Sequence, residues 1–427
     1  MNYVDAEIIV STLTERGGQP IESWQEADLI IAVSCGVRAA AEERVVSWLK
    51  KARRENRQST LVLTGCLSHR KDIEKRLQKT LDFLVPIENW VSRIEEIIPR
   101  PEINKYPEFY QIGGTRASSF RAYIPTTTGC NNFCSYCVVP YARGREKSIP
   151  PEQIIDQAQN LIKNGFKEIY LLGQNVNSYQ GIDQKGQNWH FSRLLRAVNK
   201  IPGKFWIRFI SSHPKDISEE FISVLANCQK VSPNLHLPVQ SGSNRILKLM
   251  NRHYTQADYL NLISKVRQVY PQAVFSTDII VGFPGETERD FKDSLEVVRK
   301  VGFEMLFSLK YSPRPETAAF KLRDSVSAET KIFRQRALDV AWKKIALAKN
   351  QRFIGKTITI LVDRIKTKPV PSGQTTTYAL CKSFENKDVQ AKLGAYPQKD
   401  IVGKWAEVKI KDVSALALQG ELVRAEK

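Results

Sequence analysis

Gly129-Cys130-Asn131-Asn132-Phe133-Cys134-Ser135-Tyr136-Cys137 sets three cysteines within eight residues, and the rest of the chain is read around what they can hold. The C-x3-C-x2-C spacing lets one compact loop present three sulfurs to a single centre. Thiolates are soft ligands suited to iron–sulfur clusters or zinc. A closed structural zinc site takes four ligands, and no histidine or fourth cysteine stands near in sequence. A cubane held by three cysteines keeps one iron without a protein ligand, open to a small molecule. A disulfide framework suits the chain less well. Its 7 cysteines are an odd count, and Met1-Asn2-Tyr3-Val4-Asp5-Ala6-Glu7 lacks the basic stretch and apolar core of a secretory signal.

Residues 121–127 form an expected strand running straight into the cysteine loop. Beyond it, apolar runs predict strands over 167–172, 206–211, 235–237, 273–281 and 304–311. Between them the spacing predicts helices over 151–164, 191–199, 217–226, 255–269, with Thr255 as N-cap, and 288–301. Six βα-type units exceed a lone dinucleotide fold and predict a partial parallel (β/α)6 barrel, whose chemistry belongs on the loops after the strands. Polar clusters fall in those loops: Gly173-Gln174-Asn175-Val176-Asn177, Ser211-Ser212-His213-Pro214, Pro238-Val239-Gln240-Ser241-Gly242 and Val281-Gly282-Phe283-Pro284-Gly285-Glu286. Any one of them alone is explained by turn or cap chemistry.

The flanks read differently. Residues 1–104 alternate helices (8–16, 39–54) with short buried strands (28–33, 61–64, 83–85), a small α/β unit with a parallel sheet. Cys35 and Cys66 follow its first two strands, where parallel sheets present sites. A lone cysteine is often a small buried hydrophobe; two at equivalent positions, each beside a glycine, point to shared ligation. Residues 101–117 read as a linker, 116–350 as the central unit, and 327–353 as one long basic helix. From 351 to 427 the texture turns to β, with strands over 356–362, 375–381 and 405–410 and turns at Pro371-Ser372-Gly373 and Gly394-Ala395-Tyr396-Pro397. This predicts a small β-barrel-like module. Its 14 Lys and Arg outnumber 8 Asp and Glu, with Tyr378, Phe384 and Trp405 interspersed. Such a surface suits looped RNA, although core packing explains a barrel's aromatics equally well. Cys228 and Cys381 match no ligand pattern and read as packing.

A chain of 427 residues accommodates about three domains at roughly 150 residues each. Its 42% apolar content is enough for substantial cores and excludes disorder. No apolar run approaches the roughly 18 residues of a membrane-spanning helix. The net charge of +19 concentrates polyanions at the surface, which makes nucleic acid the natural partner.

The combination resembles the methylthiotransferase family of radical S-adenosylmethionine (SAM) enzymes over nearly the whole chain. The resemblance is carried by Cys130 through Cys137 with Val138-Val139-Pro140-Tyr141-Ala142-Arg143-Gly144-Arg145-Glu146, and by Leu171-Leu172-Gly173-Gln174-Asn175-Val176-Asn177-Ser178-Tyr179. His236 to Ser243, Asp278 to Thr287 and Tyr311-Ser312-Pro313-Arg314 add to it. The Gly-Gln-Asn-Val-Asn stretch favours the branch acting on dimethylallyladenosine in tRNA over those acting on threonylcarbamoyladenosine or a ribosomal-protein aspartate.

The resemblance implies that Cys130, Cys134 and Cys137 hold a 4Fe-4S cluster whose open iron chelates SAM. Reductive cleavage of SAM would then give a radical that abstracts hydrogen from C2 of the adenine. By loop position, Gln174, Asn175, Ser212, Gln240, Asp278 and Gly282 would contact SAM. The resemblance further implies a second, auxiliary 4Fe-4S cluster as sulfur source, with Cys35 and Cys66 among its ligands, and a C-terminal TRAM-like RNA-binding barrel. It implies a tRNA anticodon stem-loop as partner, an electron donor such as flavodoxin or ferredoxin, and a monomer in the cytoplasm away from any membrane. The family's first auxiliary cysteine belongs to a segment just before Asp-Ser-Glu, and Met1 to Glu7 resembles that segment's tail. The expectation is therefore a truncated or mis-started N-terminus and a weak or missing second cluster. The alternative function is an impaired RNA-binding relative lacking one auxiliary-cluster cysteine.

Overall fold

The computed structural model describes residues 1–36, 39–98, 118–369, 375–394 and 401–426. The expected linker over 101–117 lies outside the described residues, as do the turn at 371–373 and residues 395–397 of the second turn.

At the N-terminus, strands Leu29–Ser34, Thr60–Gly65 and Phe83–Val85 pair side by side in parallel. Successive side chains of a strand point to opposite faces, and the middle strand divides accordingly. Val62 joins Val4, Ile8, Trp90 and Ile94 on one face, while Leu61 and Leu63 join Val46, Leu49, Ile73 and Leu77 on the other. Each of these buried aliphatics contributes roughly 1.5–3 kcal/mol. The first helix spans Asn2–Glu15, six residues earlier than the apolar spacing indicates, because Val4 also packs into this core. Helices Ala39–Glu55, Lys71–Leu77 and Trp90–Ile97 complete the layer.

The central unit contains six parallel strands in two groups of three. Trp206–Phe209, Glu168–Leu172 and Arg121–Pro125 form one group; Asn234–His236, Val274–Val281 and Met305–Lys310 form the other. A parallel bridge between Ile207 and Val231 joins them. Helices Pro151–Lys163, Phe191–Lys200, Glu219–Asn227, Gln256–Val269, Glu288–Val301 and Ala328–Asn350 cover the strands. Their ends follow local chemistry. Ser218 caps its helix through Phe221 N–H, Thr255–Asp258 and Thr287–Asp290 form reciprocal caps, and Gly302 at φ 61° stops the last βα helix. This is the open (β/α)6 architecture. Cys228 is buried in its core, as expected of a packing residue.

The C-terminal module is a closed five-stranded barrel of Thr357–Pro369, Thr375–Ser383, Asp388–Lys392, Trp405–Val413 and Ala417–Ala425. The expected three strands undercount it. Asp388–Lys392 is short and largely polar, and closure depends on its parallel pairing with Ala417–Ala425, which local patterning does not reveal. Cys381 lies in the barrel core.

The barrel is seated against the starting ends of the central strands. Trp206 packs on Trp405 and Phe384, with ring centroids 4.5 and 5.5 Å apart. The Glu168 carboxylate, fully buried, is gripped by Arg121 and Arg208. Arg121 also donates to Asp363 Oδ1 (2.7 Å), and Arg208 donates to the carbonyls of Ser383 (2.8 Å) and Phe384 (3.1 Å). Phe384 and Trp405 therefore form the seam, which decides for packing between the two readings open for them; Tyr378 remains half-buried. Among the described residues no helix is long and apolar enough to cross a membrane.

Candidate functional site

The cysteine loop lies at the opposite, C-terminal ends of the strands, and backbone geometry shapes it. Thr127–Thr128 pairs with Lys147–Ser148 and ties its two arms together. Gly129 has φ 78°, and a Cβ there would lie 2.2 Å from the Arg145 carbonyl oxygen, so only glycine lets the arms approach. Cys130 N–H donates to Gly144 O (3.2 Å), and Cys137 N–H donates to Cys134 O (3.0 Å). Helix Asn244–Leu249 anchors the far side: Ser135 donates through N–H to Met250 O (3.0 Å) and through Oγ to Leu249 O (2.8 Å). Asn251 Nδ2 donates to Phe133 O (3.0 Å).

Burial pushes the Cys137 thiol up to about 12 and raises that of Cys130, with neighbouring cysteines adding to both shifts. These groups rest as thiols, so metal loading must release their protons. Among the described residues, no three His, Cys, Asp or Glu side chains are grouped so as to hold a metal ion. The three cysteines share one loop without converging on one ion; on a cubane each thiolate bonds its own iron.

Sequence reasoning missed Arg252. Its guanidinium, on a residue only 7% exposed, donates to Cys134 Sγ (3.4 Å), Pro238 O (2.8 Å) and Tyr254 OH (2.9 Å). Burial opposes its charge, but Tyr136, Tyr254 and Cys134 outweigh that and hold it protonated. Nothing in Asn251-Arg252-His253 marks it; only folding brings it to the loop.

Gln174 Oε1, Ser212 Oγ and Gln240 Oε1, on loops after three strands, are buried without a hydrogen-bond partner. Buried polar atoms are nearly always paired, so such a set marks a polar ligand site. Asn175 is engaged already: its Oδ1 accepts from His213 N–H (3.1 Å) and its Nδ2 donates to Asp216 (2.6 Å). It braces two loops. Burial pushes the His213 ring down to about 2, with Arg252 and Lys215 adding, so it stays neutral. Asp278 lies 3.5 Å from His236 Nε2. Gly282, at φ 70°, sits over the Lys331 side chain, and its N–H donates to Glu286 (2.7 Å).

The register Ser34↔Gly65 sets Cys35 and Cys66 on neighbouring strand ends. A Cβ on Gly36 would lie 3.2 Å from Cys66 Cβ and 3.4 Å from Val138, so Cys66 comes close to the cysteine loop. Arg143 spans the junction, donating to Cys66 Sγ (3.4 Å) and Asp5 (2.5 Å). Glu42 receives Arg70 (2.5 Å) from its own layer and Arg314 (2.7 Å) from the central unit.

The family described as the radical SAM superfamily matches residues 124–298, and uncharacterized protein family UPF0004 matches residues 1–85. The tRNA-2-methylthio-N(6)-dimethylallyladenosine synthase of Clostridium novyi is 39% identical over 99% of this chain and 94% of its own length. The proteins of that name from Carboxydothermus hydrogenoformans (39%, covering 99% and 97%) and Thermotoga petrophila (37%, covering 99% and 95%) are similar throughout. The chain belongs to the radical-SAM methylthiotransferase family. Among solved structures, the radical S-adenosylmethionine methyltransferase TsrM from Kitasatospora setae superposes with a TM-score of 0.50 at 15% identity, covering 74% of this chain and 73% of its own. That likeness concerns the fold. The donor chemistry of this methylthiotransferase fits the family's cofactors: three soft thiols share one loop, and unpaired buried polar atoms lie on the neighbouring loops.

Proposed function

We propose that this chain transfers a methylthio group to C2 of a dimethylallyl-modified adenosine next to the anticodon of tRNA, using a 4Fe-4S cluster and SAM. The supporting observation is identity of 37–39% with proteins named for that product across 99% of the chain.

Cys130, Cys134 and Cys137 hold the cluster, and Arg252 fixes Cys134 from behind. When bound, the cluster supplies reductive cleavage of SAM and thereby a radical able to take hydrogen from an unactivated carbon. Gln174, Ser212 and Gln240 offer SAM their unpaired oxygens, while Asn175 positions the His213 loop. Asp278 lies within strand Val274–Val281, where its carbonyl accepts from Gln240 N–H (2.9 Å), and Gly282 follows that strand's end. Cys35 and Cys66 are the ligands this chain brings to a second cluster, beside the first through Arg143 and Val138. The division into 1–104, 116–350 and 351–427 assigns these parts to an auxiliary domain, a radical-SAM core and an RNA-binding barrel. The net charge of +19 suits the RNA, and the reaction requires an external one-electron donor. The setting is the cytoplasm, with the chain acting as a monomer.

The test is anaerobic reconstitution with iron, sulfide, SAM and dithionite, followed by mass spectrometry of nucleosides from a prenylated anticodon stem-loop. A methylthio derivative on the prenylated adenosine is expected. Modification of a threonylcarbamoylated loop instead would overturn the assignment.

A further inference from the structure

Beside the cysteine loop lies an open cleft of about 540 Å³, walled by that loop's Asn131 and Asn132 and by the hairpin of Gln180–Ile182 and Asn188–His190. Gln174, Ser212 and Gln240 do not line it, but Asn175 and Asn177 of the Gln174 loop do, so the cleft adjoins the candidate SAM site and extends beyond it. We propose that this cleft binds one unpaired nucleobase of the RNA loop, with Asn177 as the base-reading residue. The inference rests on the RNA reading above and adds a subsite to it.

The wall selects by charge. Glu146, Asp216 and Glu220 face the cleft, and its Lys215 is already paired with Asp216 at 2.9 Å. A phosphate would meet carboxylates rather than free cations. An apolar group would strip water from those carboxylates and leave the Asn177 amide without a partner, which is costly. A neutral ring edge that both donates and accepts hydrogen bonds satisfies such a wall, and a nucleobase is that group. Cleft volumes of this order accommodate small organic ligands.

Asn177 identifies the reader. Both its Nδ2 and its Oδ1 are buried with no hydrogen-bond partner, although the residue lines the cleft. A carboxamide with donor and acceptor both unmet matches the paired acceptor and donor on a base edge. Its neighbours are fixed in advance: Ser178 Oγ donates to Glu146 (2.6 Å), and the Glu146 N–H donates to Asn131 Oδ1 (3.2 Å). Asn177 is left to complete its pairing on the ligand. Sequence-specific RNA recognition uses such splayed single-stranded bases.

The test measures fluorescence anisotropy of the full chain with labelled anticodon stem-loops carrying each of the four bases, or an abasic site, at every loop position in turn. The wild type should discriminate bases at one position. Asn177→Leu should lose that discrimination and bind the intact loop about tenfold more weakly, while matching the wild type on the loop abasic there. Asn177→Asp, which keeps the shape and inverts the donor, should change which base is preferred and so separates reading from misfolding. Discrimination by Asn177→Leu equal to wild type overturns the cleft assignment alone. A wild type that binds no anticodon loop overturns the RNA reading and this inference with it.

Discussion

At the residue scale, single atoms set the shape of the candidate site. Gly129 is the clearest case, since both its positive φ and the Arg145 carbonyl exclude a side chain. Gly129→Ala should cost at least about 1–3 kcal/mol of loop strain. Iron bound per chain after anaerobic reconstitution should fall, and wild-type iron content would sink the claim. Arg252 acts through sulfur. Hydrogen bonds to cluster ligands help set the reduction potential, so Arg252→Met, by removing the donor at Cys134, should shift the potential to more negative values in an EPR-monitored titration. An unshifted potential would reduce Arg252 to a structural brace.

Elements follow local rules with few exceptions. Thr287 accepts from Asp290 N–H, and Asp290 returns the bond to Thr287 N–H while its carboxylate also binds Ser243 and Arg245. Thr287→Ala should lower stability by about 1 kcal/mol, read as an earlier urea midpoint with an unchanged slope. The 288–301 helix has the same limits in sequence and structure because cap, amphipathic period and stop glycine all lie within it. The barrel strands Asp388–Lys392 and Ala417–Ala425 were not legible in the same way. Their hydrogen-bond partners are remote in sequence, and the short, polar first strand carries little apolar pattern.

On the scale of the whole molecule, buried ion pairs join the layers. Glu168 ties two central strands to the barrel seam through Arg121 and Arg208. Burial alone would raise its pKa, but Arg208 and Arg121 outweigh it and hold the carboxyl below its ordinary 4.5. The folded state thus binds fewer protons than the unfolded chain. This stabilisation is complete above that ordinary value and is lost as pH falls through the lower folded value. Glu168→Gln should cost roughly 3–5 kcal/mol near neutrality and flatten the acid side of the stability profile. A mutant with the wild-type acid slope would assign the loss elsewhere. Glu42 plays the corresponding part at the other junction, between Arg70 and Arg314.

The sequence by itself determined the six βα units, the cysteine loop and the family, because strands, helix ends and a three-cysteine spacing are local patterns. It also placed Cys35 and Cys66 after strands, and the register then set them on neighbouring ends. Only the tertiary structure decided that Arg252 meets Cys134, that Arg143 reaches Cys66, and that Trp405 and Phe384 face Trp206 rather than solvent. Those pairings join residues 77 to 199 positions apart. They exist because burial forces each charge and ring to find a partner, and the fold determines which partners are near.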